Sequence, residues 1–146
     1  MPYFTYDTSV IVSRRSIALR KTKGLLMSSV VLLELIAGAQ DDAGRKMYEG
    51  LSLEYKEDES LIVPNEADWL YASKILYWLS HRRRRTDGGR LRQLAPGISQ
   101  RMALDALIAV SARRWDATVV TENWDHFKAI QYFCSVKLIR ASDFFR

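Results

Sequence analysis

Apolar positions in this chain gather into short blocks separated by charged or glycine-containing stretches, and the spacing inside the blocks switches between strand and helix periods. Tyr3 to Tyr6 is an aromatic run that reads as a strand, and Gly24-Leu25-Leu26-Met27 reads as a second. Ser28 and Ser29 follow, and either suits the cap of a helix from Val30 to Ala37, which Gly38 would stop. A further helix is predicted over about Asp41 to Tyr55, then a strand at Leu61-Ile62-Val63 before Pro64. Glu66 to Leu79 carries Trp69, Leu70, Ile75, Leu76 and Leu79 at roughly helical spacing, a stripe read as core first and oligomer surface second. Arg82 to Gly97 brings charge, Gly88-Gly89 and Pro96-Gly97, so it reads as an exposed connection. The strongest helix signal is Ser99 to Trp115, followed by a buried strand at Ala117 to Thr121 and a last strand at Val136 to Arg140.

Strands alternating with helices pair in parallel through helical crossovers, which implies an α/β protein: a three-layer α/β/α sandwich around a central parallel sheet. A chain of 146 residues, 48% hydrophobic and 27% charged, fits one globular domain spanning 1–146. In such sheets ligands bind beyond the carboxyl ends of the strands.

Four acids interrupt the apolar blocks. Asp7 ends the first strand, Glu34 lies inside Val30 to Ala37, Asp105 lies inside Met102 to Val110, and Asp125 follows the strand ending at Thr121. No lysine or arginine adjoins any of them in sequence. A buried, unpaired carboxylate costs several kcal/mol, so such groups neutralise, pair or bind a cation. Taken singly, each has a plainer role. Asp7 suits a helix cap and Asp125 a turn or cap, while Glu34 or Asp105 would be satisfied by an arginine distant in sequence. Converging acids of this kind would hold a hard divalent cation, and phosphodiester hydrolysis is the chemistry such a site performs.

Charge narrows the partners. The 22 Lys and Arg against 17 Asp and Glu give +5, and acids drawn into one pocket leave the rest of the surface still more basic, which favours polyanions. The run His81-Arg82-Arg83-Arg84-Arg85 is the main candidate for phosphate contact; its plainer reading is a solvated helix end, and an acidic protein could use the same surface. Cys134 is the single cysteine, which leaves no intrachain disulfide and suits a reducing, cytoplasmic setting. No apolar stretch approaches a membrane span, and neither leader nor anchor is expected.

Tyr6-Asp7-Thr8-Ser9-Val10, the mid-helix Glu34, Asp105-Ala106-Leu107-Ile108-Ala109, and Val120-Thr121-Glu122-Asn123-Trp124-Asp125-His126-Phe127 together resemble the PIN-domain ribonucleases, in order and spacing, over nearly the whole chain. Within that family the size and N-terminal start look like the VapC-type toxins of toxin–antitoxin pairs. The resemblance implies an RNA-cleaving site using Mg²⁺ or Mn²⁺, an RNA substrate, a cognate antitoxin and a homodimer. Carried over by position, Asp7, Glu34 and Asp105 match the three most regular acids. In the family's Thr-x-Asn-x-x-Asp-Phe pattern, Thr121, Asn123 and Phe127 match, but His126 stands where aspartate is common. The fourth acidic ligand is therefore assigned first to Asp125, then to Asn123 as a polar group, then to Glu122. Thr8 and Thr121 would orient the carboxylates from behind. Trp124 is expected to pack, and His126 to be an exposed loop histidine. A PIN-fold binding module with weak chemistry and a nuclease of RNA maturation are the alternatives that fit the same residues.

Overall fold

The structure, a computed structural model, describes the backbone of residues 2–86 and 98–146 and the side chains of residues 2–81 and 102–146. Five strands form one sheet: β1 (Tyr3–Tyr6), β2 (Leu25–Ser28), β3 (Leu61–Ile62), β4 (Ala117–Thr121) and β5 (Lys137–Arg140). All neighbours pair in parallel, in the order β3-β2-β1-β4-β5. The fold is α/β, with a central parallel sheet flanked by helices, as the alternating periods imply. From β1 the chain steps outward through β2 and β3, then crosses back to the other side of β1 to lay down β4 and β5. The direction of winding thus reverses between β1 and β4, where an open α/β sheet leaves a crevice at its carboxyl edge. Tyr6 is in register with Val120, and the Asp7 amide donates to the Val120 carbonyl at 3.2 Å, so the ends of these two strands emerge side by side.

The helices follow from caps and burial. Helix α3 (Ser29–Ala37) starts where the Ser28 hydroxyl accepts the Val30 amide at 3.2 Å and ends at Gly38. Helix α4 (Asp42–Glu57) is capped by Asp41, which accepts the Gly44 amide at 2.7 Å. Helix α6 (Ile98–Arg114) is apolar nearly all round and runs through the core: Ala106 to Val110 and Ala112 are buried, and the buried Ser111 hydroxyl is satisfied by the Leu107 carbonyl at 2.6 Å. On β1, Phe4 and Tyr6 share one face and pack on Phe144 and Phe145.

Several elements differ from the sequence reading. Helix α5 (Glu66–Thr86) runs seven residues past Leu79, so Arg82 to Thr86 extend a helix instead of opening the connection; arginine is a good helix former, and the first glycines come after Thr86. Residues 87–97, the rest of the connection, lie outside the described residues. The α5 stripe divides: Ala72 and Ile75 are buried, whereas Trp69, Leu70, Tyr77 and Trp78 are exposed. Helices α1 (Thr8–Ser13) and α2 (Arg15–Ala18) have no counterpart in the periodicity, because Val10-Ile11-Val12 is β-branched and α1 is stabilised by its cap and by burial of Val10 and Ile11. Helix α7 (Trp124–Cys134) buries Phe127, Ile130 and Cys134, a helical spacing; α8 (Ala141–Phe144) closes the fold. Among the described residues, no helix is long and apolar enough to cross a membrane.

Candidate active site at the carboxyl edge of the sheet

Asp7 leaves β1 at the crevice and is only 2% exposed. Its carboxylate caps α1: Oδ1 accepts the Val10 amide at 3.2 Å and the Ser9 hydroxyl at 2.6 Å, while Oδ2 accepts the Thr121 hydroxyl at 2.7 Å. Cap and candidate ligand are therefore one side chain. Burial pushes its pKa up, Glu122 adds repulsion, and the hydrogen bonds from Ser9, Thr121 and Val10 partly oppose the rise.

Glu34 reaches the same edge from α3, and its Oε1 accepts the Thr8 hydroxyl at 2.8 Å. Its pKa is raised, first by burial and then by the charge of Asp7. Asp105 arrives from α6, with Oδ2 3.4 Å from the Asn123 amide nitrogen and 3.2 Å from His126 Nδ1. Its pKa is pushed up to about 6, chiefly by burial, with the charges of Asp7 and Glu34 adding and the neighbouring His126 ring subtracting. Glu34 thus senses the charge of Asp7, and Asp105 senses both, which ties the three into one electrostatic unit.

None of the three has a lysine or arginine partner among the described residues. Asp68 gives the contrast: this buried carboxylate accepts Arg114 Nε at 2.9 Å and the Asn65 amide at 3.0 Å, the ordinary resolution for a core acid. Among the described residues, no distant arginine approaches Glu34 or Asp105 to explain them as structural acids. Glu34 Oε2 and Asp105 Oδ1 carry no hydrogen bond from a described residue.

Asp125 stands apart. It is exposed on the first turn of α7 and touches none of the other three acids. The helix explains this: successive residues rotate by about 100°, so Asp125 faces solvent while His126 turns toward Asp105. His126 is accordingly not an exposed loop histidine; its side chain is one-third exposed, and its Nδ1 also lies 2.8 Å from the Asn123 amide nitrogen. Glu122 is turned to Arg14, whose Nε lies 3.1 Å away. Asn123 sits inside the site, its backbone amide donating to the Thr121 hydroxyl at 2.8 Å. Trp124 packs beneath the Arg140 guanidinium, 4.5 Å from the ring centroid. The sequence reading passed over Ser9, whose only signal is its place two residues after Asp7. The side chains of Arg82 to Arg85 lie outside the described residues.

The donor set suits a hard divalent cation: three oxygen-donor carboxylates, partly or wholly desolvated, close enough for their charges to interact, and without a basic side chain among the described residues to neutralise them. Among the described residues no three His, Cys, Asp or Glu side chains already stand at joint ligating distance, so the fit rests on donor chemistry and not on a preformed cage. Beside Glu34 and Thr8 a cleft of about 510 Å³ opens between α1, α3 and α4, with Arg15, Met47 and Tyr48 on its wall.

Solved structures share this architecture. The chain is similar to VapBC-1 from nontypeable Haemophilus influenzae (22% identity, covering 96% of this chain and 98% of that one, TM-score 0.55). DNA-bound VapBC from Salmonella typhimurium is similar at 18% identity (97% and 99% covered, TM-score 0.56). VapBC-5 from Mycobacterium tuberculosis, a member of the VapBC family of toxin-antitoxin systems, is similar at 23% identity (96% and 99% covered, TM-score 0.52). No curated protein matches the sequence. The family model for the PIN domain matches residues 5–131, a span that contains the end of β1, the three clustered acids and most of α7; the chain belongs to the PIN domain family.

Proposed function

We propose that this chain is a metal-dependent endoribonuclease that hydrolyses RNA phosphodiester bonds, acting as the toxin of a toxin–antitoxin pair. The observation that carries the reading is the set of acids, Asp7 buried and Glu34 and Asp105 partly buried, that have no lysine or arginine partner among the described residues, at the switch point of a PIN-domain sheet. These three side chains would hold Mg²⁺ or Mn²⁺. When bound, the ion supplies an activated nucleophile and offsets the negative charge that builds up on the scissile phosphate.

The chain's own residues set the conditions for that chemistry. Thr121 and Ser9 fix both oxygens of Asp7, and Thr8 fixes one oxygen of Glu34, so the acids are oriented before any ligand arrives. Asn123 ties the Thr121 hydroxyl to Asp105, linking the ends of β4 and α6. Asp125, exposed on the rim, is assigned an outer role here. Arg82 to Arg85 would hold the RNA backbone, and Arg15, which has no carboxylate partner among the described residues, adds positive charge beside the cleft. The exposed Trp69, Leu70, Tyr77 and Trp78 of α5 support a homodimer face. Similarity to VapBC complexes supports an antitoxin partner, and a metal-free acidic pocket would accept a basic side chain from it.

The test is cleavage of cellular RNA by chelator-treated protein with Mg²⁺ or Mn²⁺ restored, with Asp7→Asn as control. Metal-dependent cleavage lost in Asp7→Asn is expected, with growth arrest on expression relieved by the neighbouring gene product. Wild-type protein that binds RNA but never cleaves it would instead identify a binding module. Cleavage without toxicity would identify a nuclease of RNA maturation.

A further inference from the structure

The fourth position of the site holds a nitrogen donor where an acid was expected. Helix α7 packs against α6, and its second and third residues diverge: Asp125 to solvent, His126 toward Asp105. His126 Nδ1 lies 2.8 Å from the Asn123 amide nitrogen, which can only donate. Nδ1 is then the acceptor, with the ring proton on Nε2. Asp105 Oδ2 stands 3.2 Å from that same nitrogen. The two lone-pair atoms, with no hydrogen of their own between them, are bridged only by the neutral Asn123 amide, and a cation seated against both would relieve their repulsion more fully. Ligand atoms about 2.1 Å from an ion and at right angles to each other lie about 3.0 Å apart. The spacing between Asp105 Oδ2 and His126 Nδ1 is that of adjacent ligands on one ion.

Resting on the cation site proposed above, we infer that His126, not Asp125, completes the donor set of Asp7, Glu34 and Asp105. An imidazole in place of a fourth carboxylate removes one negative charge and introduces a softer donor, so the site's preference moves away from Mg²⁺ toward transition ions that accept imidazole. Asn123 is the positioning residue: its amide holds the ring with Nδ1 turned to Asp105.

Electron spin-echo spectroscopy of the full chain loaded with Mn²⁺ after chelator treatment tests this without reference to activity. The expected result is ¹⁴N modulation from a coordinated imidazole that disappears when the protein is labelled with [¹⁵N]histidine. The chain has one other histidine, His81, whose Nδ1 lies against the Tyr77 carbonyl at 2.9 Å, so the signal should survive His81→Gln and vanish in His126→Asp. Calorimetric titration should show the Co²⁺ to Mg²⁺ affinity ratio falling on the order of tenfold in His126→Asp. Bound Mn²⁺ without nitrogen coupling overturns the inference and leaves the carboxylate site standing; it is the result expected if the Asn123 amide is turned the other way and Nδ1 carries the proton. Loss of the signal in His81→Gln overturns it too. Mn²⁺ that fails to bind, or binds equally to Asp7→Asn, overturns the site itself and this inference with it.

Discussion

Replacing Asp105 by asparagine should stabilise the metal-free protein while removing the proposed activity. The carboxyl's pKa in the folded chain is about 6 against an ordinary value of 3.8. A raised acid pKa means that the ionised form is less well accommodated folded than unfolded. Well below pH 3.8 the group is protonated in both states and contributes no penalty, and near pH 4 the penalty is still small. As pH rises from about 4, the unfolded chain gives up its proton first, and the folded state loses ground until both are ionised above about 6. At about 1.4 kcal/mol per pKa unit, the penalty at neutral pH is about 2–3 kcal/mol. Asparagine keeps the shape and its hydrogen-bonding capacity toward Asn123 and His126 but carries no charge. For a chain of this size that corresponds to a rise in Tm of about 5–10 °C. Scanning calorimetry in chelator at several pH values reads it directly: the two proteins should melt together near pH 4 and diverge progressively to pH 7, Asp105→Asn melting higher. Saturating Mn²⁺ should then raise the Tm of the wild type much more than that of the variant. A variant that melts below wild type at neutral pH in chelator would refute the reasoning, because it would make Asp105 a structural partner of His126 and not a repelled acid.

Three further outcomes are expected. Thr121→Val removes the hydroxyl that donates to Asp7 Oδ2 and accepts the Asn123 amide, so urea melts should show a loss of about 1–3 kcal/mol, and single-turnover cleavage should fall about 10- to 100-fold; unchanged cleavage would deny Thr121 an orienting role. Gly24 enters β2 at φ +88°, where an added Cβ would lie 2.9 Å from the Pro2 carbonyl oxygen, so Gly24→Ala should lower stability by about 1–3 kcal/mol, with cleavage per folded molecule unchanged. Replacing Arg83 and Arg84 together by alanine should flatten the salt dependence of RNA binding by about 1 to 1.5 log units per log unit of salt, given about 0.7 per single-strand phosphate contact. A filter-binding series with an unchanged slope would remove this segment from the RNA surface.

What the sequence determined by itself was whatever depends on neighbours a few residues apart. The alternation of strand and helix periods required a parallel sheet; the Ser28-Ser29 pair and Gly38 bracketed α3, with Ser28 chosen as the cap only in the structure, and apolar neighbours on both sides made Glu34 and Asp105 conspicuous. Thr8 and Thr121 flank strand ends that a parallel sheet brings to one edge, whereas Asn123 was singled out by its match to the family pattern. Tertiary structure decided what depends on side-chain direction and on contacts between distant segments. Short helices α1 and α2 run against β-branched propensity because Asp7 caps the first and Val10 and Ile11 are buried, which no local pattern encodes. Whether an acid is paired turned on contacts distant in sequence: Arg114 lies 46 residues from Asp68, while among the described residues nothing comparable approaches Asp7, Glu34 or Asp105. That His126 and not Asp125 turns toward Asp105 is a rotation of one residue, fixed by where α7 begins and how it packs on α6. Residue identity is written along the chain, but the face that a residue presents is set by the elements packed around it.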